Sequence, residues 1–271
     1  MDIKKRFKRM RKRIKLFAAD GVDFILGRRD ELTPPRRMIF VGSRRNYKKT
    51  GEEFLQYFVG LGDLTPKGKV LDVGCGIGRM AVPLAKYLDR EGSYEGFDIV
   101  AKGIRWCRKN VSPIYPNFNF QLADIYNKTY NRKGRYKAFE YKFPYGNEYF
   151  DFVTLTSVFT HMLPQDMENY FGEISRVLKK GGRCLITFFL LNEESFQLIR
   201  SGKSELNFGY DFGKYRTMDP NVSEAAIGYD EAFVLGLYEK YGLRIKRPLH
   251  YGSWCGRSTF LSYQDIVVAS K

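Results

Sequence analysis

Histidine, cysteine and long apolar runs are all scarce in this 271-residue chain. The four cysteines (Cys75, Cys107, Cys184 and Cys255) contain no C-x-x-C pair, which excludes a disulfide scaffold or zinc ribbon and fits a reducing, cytoplasmic compartment. Apolar runs are short, Cys184–Leu191 being typical. None approaches the roughly 18 residues of a spanning helix, so an integral membrane protein is not expected. Met1–Arg6 is basic but leads into no apolar h-region, so a secretory signal is not expected either. The two histidines, His161 and His250, are far apart and no acidic triad accompanies them, so no metal site is expected. There is no internal repeat. What the chain does have is 44% hydrophobic and 16% aromatic residues, enough for a buried core and against global disorder.

Charge is distributed unevenly. Of 46 Lys/Arg and 30 Asp/Glu, residues 1–50 hold 17 and 5, leaving 29 and 25 for the other 221. A nearly balanced body therefore carries a strongly basic N-terminal arm, and partners are to be inferred from the arm rather than from the global charge. Ile3, Phe7, Met10, Ile14 and Phe17 recur at spacings of four and three, one apolar stripe on a helix otherwise covered by lysine and arginine. Such a helix can lie on an anionic membrane, bind a nucleic-acid backbone, or pack its stripe on the domain.

Thr33-Pro34-Pro35 ends that segment, and the chain to about Asn46 reads as a loop or lid. Residues 1–49 are thus an arm and lid, and 50–271 one domain. Thr50–Leu61 reads as a helix. Strands at Lys69–Val73, Tyr94–Asp98, Phe118–Ala123, Phe150–Thr156, Arg183–Leu190, Leu243–Leu249 and Gln264–Ala269 alternate with helices at Gly78–Leu88, Lys102–Asn110, Gln165–Leu178 and Asp230–Tyr241. Lys180-Gly181-Gly182 reads as a helix-stop turn. This is an α/β pattern with a mainly parallel sheet, whose ligand sits beyond the carboxyl ends of the strands. Ile125–Tyr149, aromatic and basic, and Asn192–Tyr229 break the alternation, and loops of that length read as functional lids.

The most informative stretch is Val70–Met80. A buried strand ends at Asp72-Val73, glycines come next at 74, 76 and 78, and a helix begins. Glycines permit tight turns and let a ligand approach the main chain. The spacing is G-x-G-x-G rather than the G-x-G-x-x-G of dinucleotide sites. Asp72 stands where it would repel a pyrophosphate but attract an amine, and Asp98 closes the next strand, where a carboxylate accepts both ribose hydroxyls. An adenosine joined to a cationic amino acid without phosphate, S-adenosylmethionine, satisfies all three.

Asp72–Gly78, Gly96-Phe-Asp98-Ile, Leu122-Ala-Asp124-Ile, Phe150–Val153 and Val177–Gly182 resemble, in order and spacing, the signature segments of class I S-adenosylmethionine-dependent methyltransferases. The likeness covers residues 50–191 firmly and 230–270 loosely, and is nearly silent about the methyl acceptor. It implies a Rossmann-like, doubly wound, seven-stranded sheet, mostly parallel with an antiparallel last strand and helices on both faces. It implies that Gly74, Gly76 and Gly78 carry the methionyl end and that Asp72 helps hold its amine. Asp98 would take the ribose diol with Ile99 against adenine, and Asp124 the adenine amino group with Ile125 beside it. Cys75 belongs to this loop as a small residue, without thiol chemistry, and Thr156 joins the cofactor set at the fourth strand's tip.

The acceptor has to be read from the residues just beyond the fourth strand. The Asn/Asp-Pro-Pro-Tyr/Phe signature of enzymes that methylate base amino groups is missing there; His161 stands instead. Methyl transfer is an in-line displacement, and an alcohol must lose its proton as it attacks, so a neutral imidazole in reach acts as general base. Some sugar and natural-product O-methyltransferases resemble this metal-independent arrangement. The rival roles are a histidine that orients substrate and one that is merely structural. His250, Tyr251, Trp254 and Arg257, clustered between two strands, read as a substrate-contact loop, or else as a packed turn with Trp254 in the core. The expectation is an O-methyltransferase acting on a sugar, glycan or glycolipid, with residues 1–20 in peripheral contact with an anionic membrane. The alternatives are RNA or a small metabolite as acceptor, and a non-catalytic cofactor-binding scaffold.

Overall fold

The structure is a computed structural model describing residues 3–27, 30–40 and 44–271, with side chains from residue 14 onward except those of residues 44 and 45. Two helices, α1 (Ile3–Ile25) and α2 (Arg44–Gly60), precede β1 (Lys69–Val73), α3 (Ala81–Tyr87), β2 (Ser93–Asp98), α4 (Ala101–Asn110), β3 (Phe118–Leu122) and β4 (Phe150–Leu155). After these come α5 (Pro164–Val177), β5 (Leu178–Phe188), β6 (Leu190–Leu191), α6 (Glu193–Arg200), β7 (Tyr210–Asp211) and β8 (Tyr215–Thr217). The chain ends with β9 (Ile227–Asp230), α7 (Glu231–Lys240), β10 (Arg244–Ile245) and β11 (Asp265–Ser270). Among the described residues no helix is long and apolar enough to cross a membrane.

Seven strands form the main sheet in the order β10-β11-β5-β4-β1-β2-β3. β1 pairs parallel with both β2 and β4, and β11 runs antiparallel to both its neighbours, β5 and β10. This is the expected mostly parallel sheet with an antiparallel last strand. Its strands are apolar on both faces because both faces are covered. Consecutive residues go to opposite cores: Val70, Phe152, Leu185 and Ile266 to one, Leu71, Val153, Ile186 and Val267 to the other. The first core is roofed by Phe58, Leu84 and Ile104 from α2, α3 and α4, the second by Phe171, Ile174 and Tyr238 from α5 and α7. The order reverses between β1 and β4, which opens a crevice at their carboxyl ends.

Three expectations about elements are corrected. Lys180-Gly181-Gly182 lies inside β5 rather than stopping a helix: Gly181, at φ 77°, bulges outward and the ladder with β4 resumes at Arg183. The strand expected over Leu243–Leu249 is only Arg244–Ile245. Asn192–Tyr229 is not an irregular loop but α6 and a second sheet, β6-β9-β8-β7, over a small core that includes Phe189, Phe208 and Trp254.

In α1 the two acids of the described part face inward. Asp23 pairs with Arg36 at 2.8 Å and Asp20 with Arg37 at 3.0 Å. Ile14 and Phe17, the described part of the apolar stripe, are exposed, with the Arg37 guanidinium 4.3 Å from the Phe17 ring centre. The side chains of Ile3, Phe7 and Met10 lie outside the described residues.

Candidate functional site

A cavity of about 260 Å³ occupies the crevice. Its floor is the loop from β1. Gly74, Gly76 and Gly78 all take positive φ (79°, 60° and 78°), conformations that L side chains rarely adopt. A Cβ at Gly74 would stand 2.4 Å from Val158. The Gly74 and Cys75 N–H groups donate to the Phe97 carbonyl, which ties the loop to β2.

Asp98, at the tip of β2, is nearly buried. Its Oδ2 accepts from the Gly76 N–H at 2.8 Å and its Oδ1 from the Val100 N–H at 2.7 Å. Burial raises its pKa, with the Val100, Gly76 and Ile99 backbone working against the rise. Asp72, on β1, is buried too and accepts from the Tyr94 hydroxyl at 2.6 Å. Burial above all, with Asp98 adding, pushes it up to about 7, against the pull of Tyr94 and Arg79. Arg79 lines the same wall, partly buried and in no ion pair among the described residues. On the β4 side the Thr156 hydroxyl is buried with no hydrogen-bond partner among the described residues. Ser157 beside it has φ 58°, a strained value for a residue with a side chain, held by its N–H on Thr187 Oγ1 at 2.8 Å.

A second cluster in the cavity wall joins residues of both insertions to the stretch between β4 and α5. His161 Nδ1 lies 2.9 Å from the Glu224 carbonyl oxygen, which can only accept, so Nδ1 carries the proton and Nε2 keeps the lone pair. Desolvation lowers the His161 pKa, with the Glu224 and Ala225 backbone opposing, which favours the neutral ring. Tyr130 meets the imidazole edge-on at 6.4 Å, and Asn127 Nδ2 donates to Glu224 Oε1 at 3.3 Å. Asp166 and Glu224 also line the cavity, and burial raises the pKa of both carboxyls.

Of the residues singled out in the sequence, Asp72, Gly74, Cys75, Gly76, Asp98, Ile99, Ile125, Thr156 and His161 line this one cavity. Cys75 is buried and burial pushes its thiol well up, leaving a small inert residue. Gly78 is not in the lining; it turns the loop, its N–H donating to the Cys75 carbonyl at 2.9 Å. Asp124 is not in the lining either. It is exposed, accepts from the Arg135 N–H at 3.3 Å and lies 3.9 Å from that residue's guanidinium.

The expected substrate loop is not brought to the cavity. Trp254 is fully buried and its indole N–H donates to Asp265 at 2.7 Å; Arg257 is buried between Asp265 and Glu194. Tyr251 donates to Glu231, and His250 pairs with Ile266 through backbone hydrogen bonds. These four hold the β10–β11 connection around Asp265. Sequence reasoning missed Arg79, Ser157, Asp166 and Glu224. Arg79 beside the glycine loop, Ser157 beside Thr156 and Asp166 near His161 lay next to residues already singled out, while Glu224 is brought in by tertiary structure alone.

Residues 64–242 match a family model described as a methyltransferase domain. Phosphoethanolamine N-methyltransferase 3 of Arabidopsis thaliana is 29% identical over 137 residues, a match covering 51% of this chain and 24% of that protein. The chain thus matches about a quarter of that relative's length. Magnesium protoporphyrin IX methyltransferase from Synechocystis PCC 6803, solved with bound S-adenosylhomocysteine, superposes with a TM-score of 0.54 at 18% identity, over 96% of this chain and 99% of that one. An S-adenosylmethionine-dependent methyltransferase from Aquifex aeolicus gives 0.50 at 19% identity, over 83% and 91%. At these identities the structures speak for the fold.

Proposed function

The chain belongs to the class I S-adenosylmethionine-dependent methyltransferases, and from that premise we propose that it methylates a hydroxyl group of a sugar, glycan or glycolipid, with His161 as general base. The residues present suit the cofactor. Glycine backbone at positive φ leaves the loop bare, and each Asp98 oxygen keeps a lone pair for a diol. Asp72 and Arg79, which forms no ion pair among the described residues, offer opposite charges to the ammonium and carboxylate of an amino acid, and the Thr156 hydroxyl, without a partner among those residues, offers a further hydrogen bond. Bound there, the cofactor supplies a methyl group made electrophilic by a sulfonium.

The observation that carries the acceptor reading is His161. The Glu224 carbonyl holds its proton on Nδ1, desolvation favours its neutral form, and it lines the cavity with Nε2 left to accept a proton from an attacking oxygen. Tyr126, whose ring has the Lys137 ammonium 4.0 Å from its centre, and Tyr130 add aromatic surface of the kind sugars pack on, and the Asp166 and Glu224 carboxyl oxygens can take sugar hydroxyls. The four free, buried cysteines suit a cytoplasmic setting.

A second reading has its own support. The same two carboxyls would also hold an ammonium, and the Arabidopsis relative is named as an N-methyltransferase, so an amine acceptor is the alternative. A retained scaffold without catalysis is disfavoured by the intact loop and the poised histidine.

Labelled cofactor offered to sugar, glycolipid, amine and RNA pools identifies the acceptor class. The pH profile of kcat/KM of wild type and His161→Gln then tests the base. For a hydroxyl acceptor we expect a rise with pH that levels off below the usual histidine value and a loss of roughly 10²–10⁴-fold in the variant at unchanged cofactor affinity. A profile that climbs to the pKa of an amine acceptor and persists in the variant would overturn the base assignment and favour N-methylation.

A further inference from the structure

Away from the catalytic crevice, a second cleft of about 660 Å³ lies between the C-terminal part of α1, the Pro35–Met38 stretch and α4. Its wall includes Lys102, Arg105 and Lys109, spaced by three and four residues and therefore aligned on one side of α4. None of the three forms an ion pair among the described residues. Two carboxylates share the cleft. Asp30 is taken by Lys48 at 2.5 Å and by the Thr33 hydroxyl, and Glu31 is exposed.

Apolar side chains frame the same cleft. Phe24 is 73% exposed and Ile114 48%, and Ile25, next to Phe24, is 81% exposed. From residue 14 to its end α1 turns no acid outward, because Asp20 and Asp23 are folded in against Arg37 and Arg36. The outward surface of that stretch is therefore mainly apolar, with Lys15 its single cation, and it lies within a segment whose first 50 positions hold 17 of the chain's 46 Lys/Arg.

We propose that this cleft and the exposed side of α1 together form a docking surface for an anionic phospholipid bilayer. Charge alone would suit any polyanion. A nucleic-acid backbone, however, has nothing in which to bury Phe24, Ile25 and Ile114, whereas a lipid interface takes aromatic and aliphatic side chains at the acyl boundary and Lys/Arg at the phosphates. The Lys102 ammonium lies 4.7 Å from the centre of the Phe40 ring, and Phe40 lines the catalytic cavity. The two concavities therefore share a wall, and docking here sets the catalytic crevice beside the membrane surface. The inference is independent of which acceptor is methylated.

The test is co-sedimentation of the full chain with phosphatidylcholine vesicles, with and without phosphatidylglycerol. Binding is expected only to the anionic vesicles and to weaken with salt. Arg105→Glu/Lys109→Glu changes the charge by four units and should weaken it roughly 600-fold, at about fivefold per unit of charge near the surface. Phe24→Ser/Ile25→Ser should weaken it at least about tenfold. Arg105→Lys/Lys109→Arg, which keeps the charge, should sediment as wild type, and S-adenosylhomocysteine affinity should be unchanged in all three. No sedimentation of the wild type, equal binding to neutral vesicles, or indifference to either disruptive pair would overturn the proposal. So would tighter binding to polyuridylic acid than to vesicles, lost through the same substitutions.

Discussion

Replacing Asp98 by asparagine tests the ribose assignment most directly. The carboxylate presents two oxygens, each already accepting one backbone N–H, from Gly76 at 2.8 Å and Val100 at 2.7 Å. Each has a lone pair left for one hydroxyl of a diol. Hydrogen bonds to a charged acceptor are worth about 1.5–3 kcal/mol, so a pair amounts to about 3–6 kcal/mol. Asparagine keeps one acceptor and turns the other into a donor, which faces a backbone N–H it cannot satisfy. At about 1.4 kcal/mol per tenfold, losing one diol contact and loosening the loop should weaken binding by roughly 10²–10³-fold. Calorimetric titration with S-adenosylhomocysteine measures it, and thermal unfolding of the same sample separates a lost contact from a lost fold. Asp124→Asn is the matched control, since that carboxylate lies outside the cavity lining and should leave affinity within about threefold. Equal affinities for wild type and the Asp98 variant, or a larger loss at Asp124 than at Asp98, would refute the reasoning.

The same geometry sets other outcomes. Asp72 titrates near 7 and binds a cation only as the carboxylate, so cofactor affinity should tighten up to about tenfold per pH unit up to about pH 7 and then level off; Asp72→Asn should be flat across that range in calorimetry. In the protein alone Asp72 keeps its proton longer folded than unfolded, so its contribution to stability should fall as pH rises from 3.8 to about 7, measured by urea unfolding of wild type against that variant. Arg257→Met leaves the buried Asp265 carboxylate without its cation and should cost about 3–5 kcal/mol in urea unfolding without changing cofactor affinity; a selective loss of turnover would return this loop to the substrate site. Gly74→Ala meets both a left-handed backbone and the Val158 methyl at 2.4 Å, so Val158→Ala should recover the overlap but not the roughly 1–2 kcal/mol of backbone strain, as melting of the double variant will tell.

The glycine loop and its two carboxylates were legible because their chemistry is written locally: Asp72, three glycines and Asp98 lie within 27 residues, and the parallel pairing of β1 with β2 does the rest. The sheet was legible for a related reason, since strands buried on both faces read as apolar runs whatever their neighbours. The loop of Trp254 and Arg257 misled because aromatic and basic residues between glycines look alike whether they face a ligand or a buried aspartate. Only the fold reveals Asp265 at their centre. Glu224 had no local mark at all, being carried to His161 by an insertion more than sixty residues further along the chain, whereas Asp166 stands only five residues beyond His161, in the first turn of α5.

With His161 in the role of base proposed above, that junction would couple acceptor fit to the tautomer of the imidazole. Glu224 gives its backbone carbonyl to His161 Nδ1 and its side-chain Oε1 to Asn127, while Lys128 donates to the Asn221 carbonyl at 3.0 Å. The contacts that fix the imidazole tautomer therefore also close one insertion against the other around the acceptor's share of the cavity. Shifting the Pro220–Ala225 turn would withdraw the carbonyl from Nδ1 and free the ring to carry its proton on Nε2, where it can no longer accept one. On that proposal the insertions would set not only which acceptor fits but also which imidazole nitrogen carries the proton when it arrives. Substitutions in the turn should thus lower kcat as well as raise KM, whereas changes confined to Tyr126, which lines the cavity without touching this network, should act on KM alone.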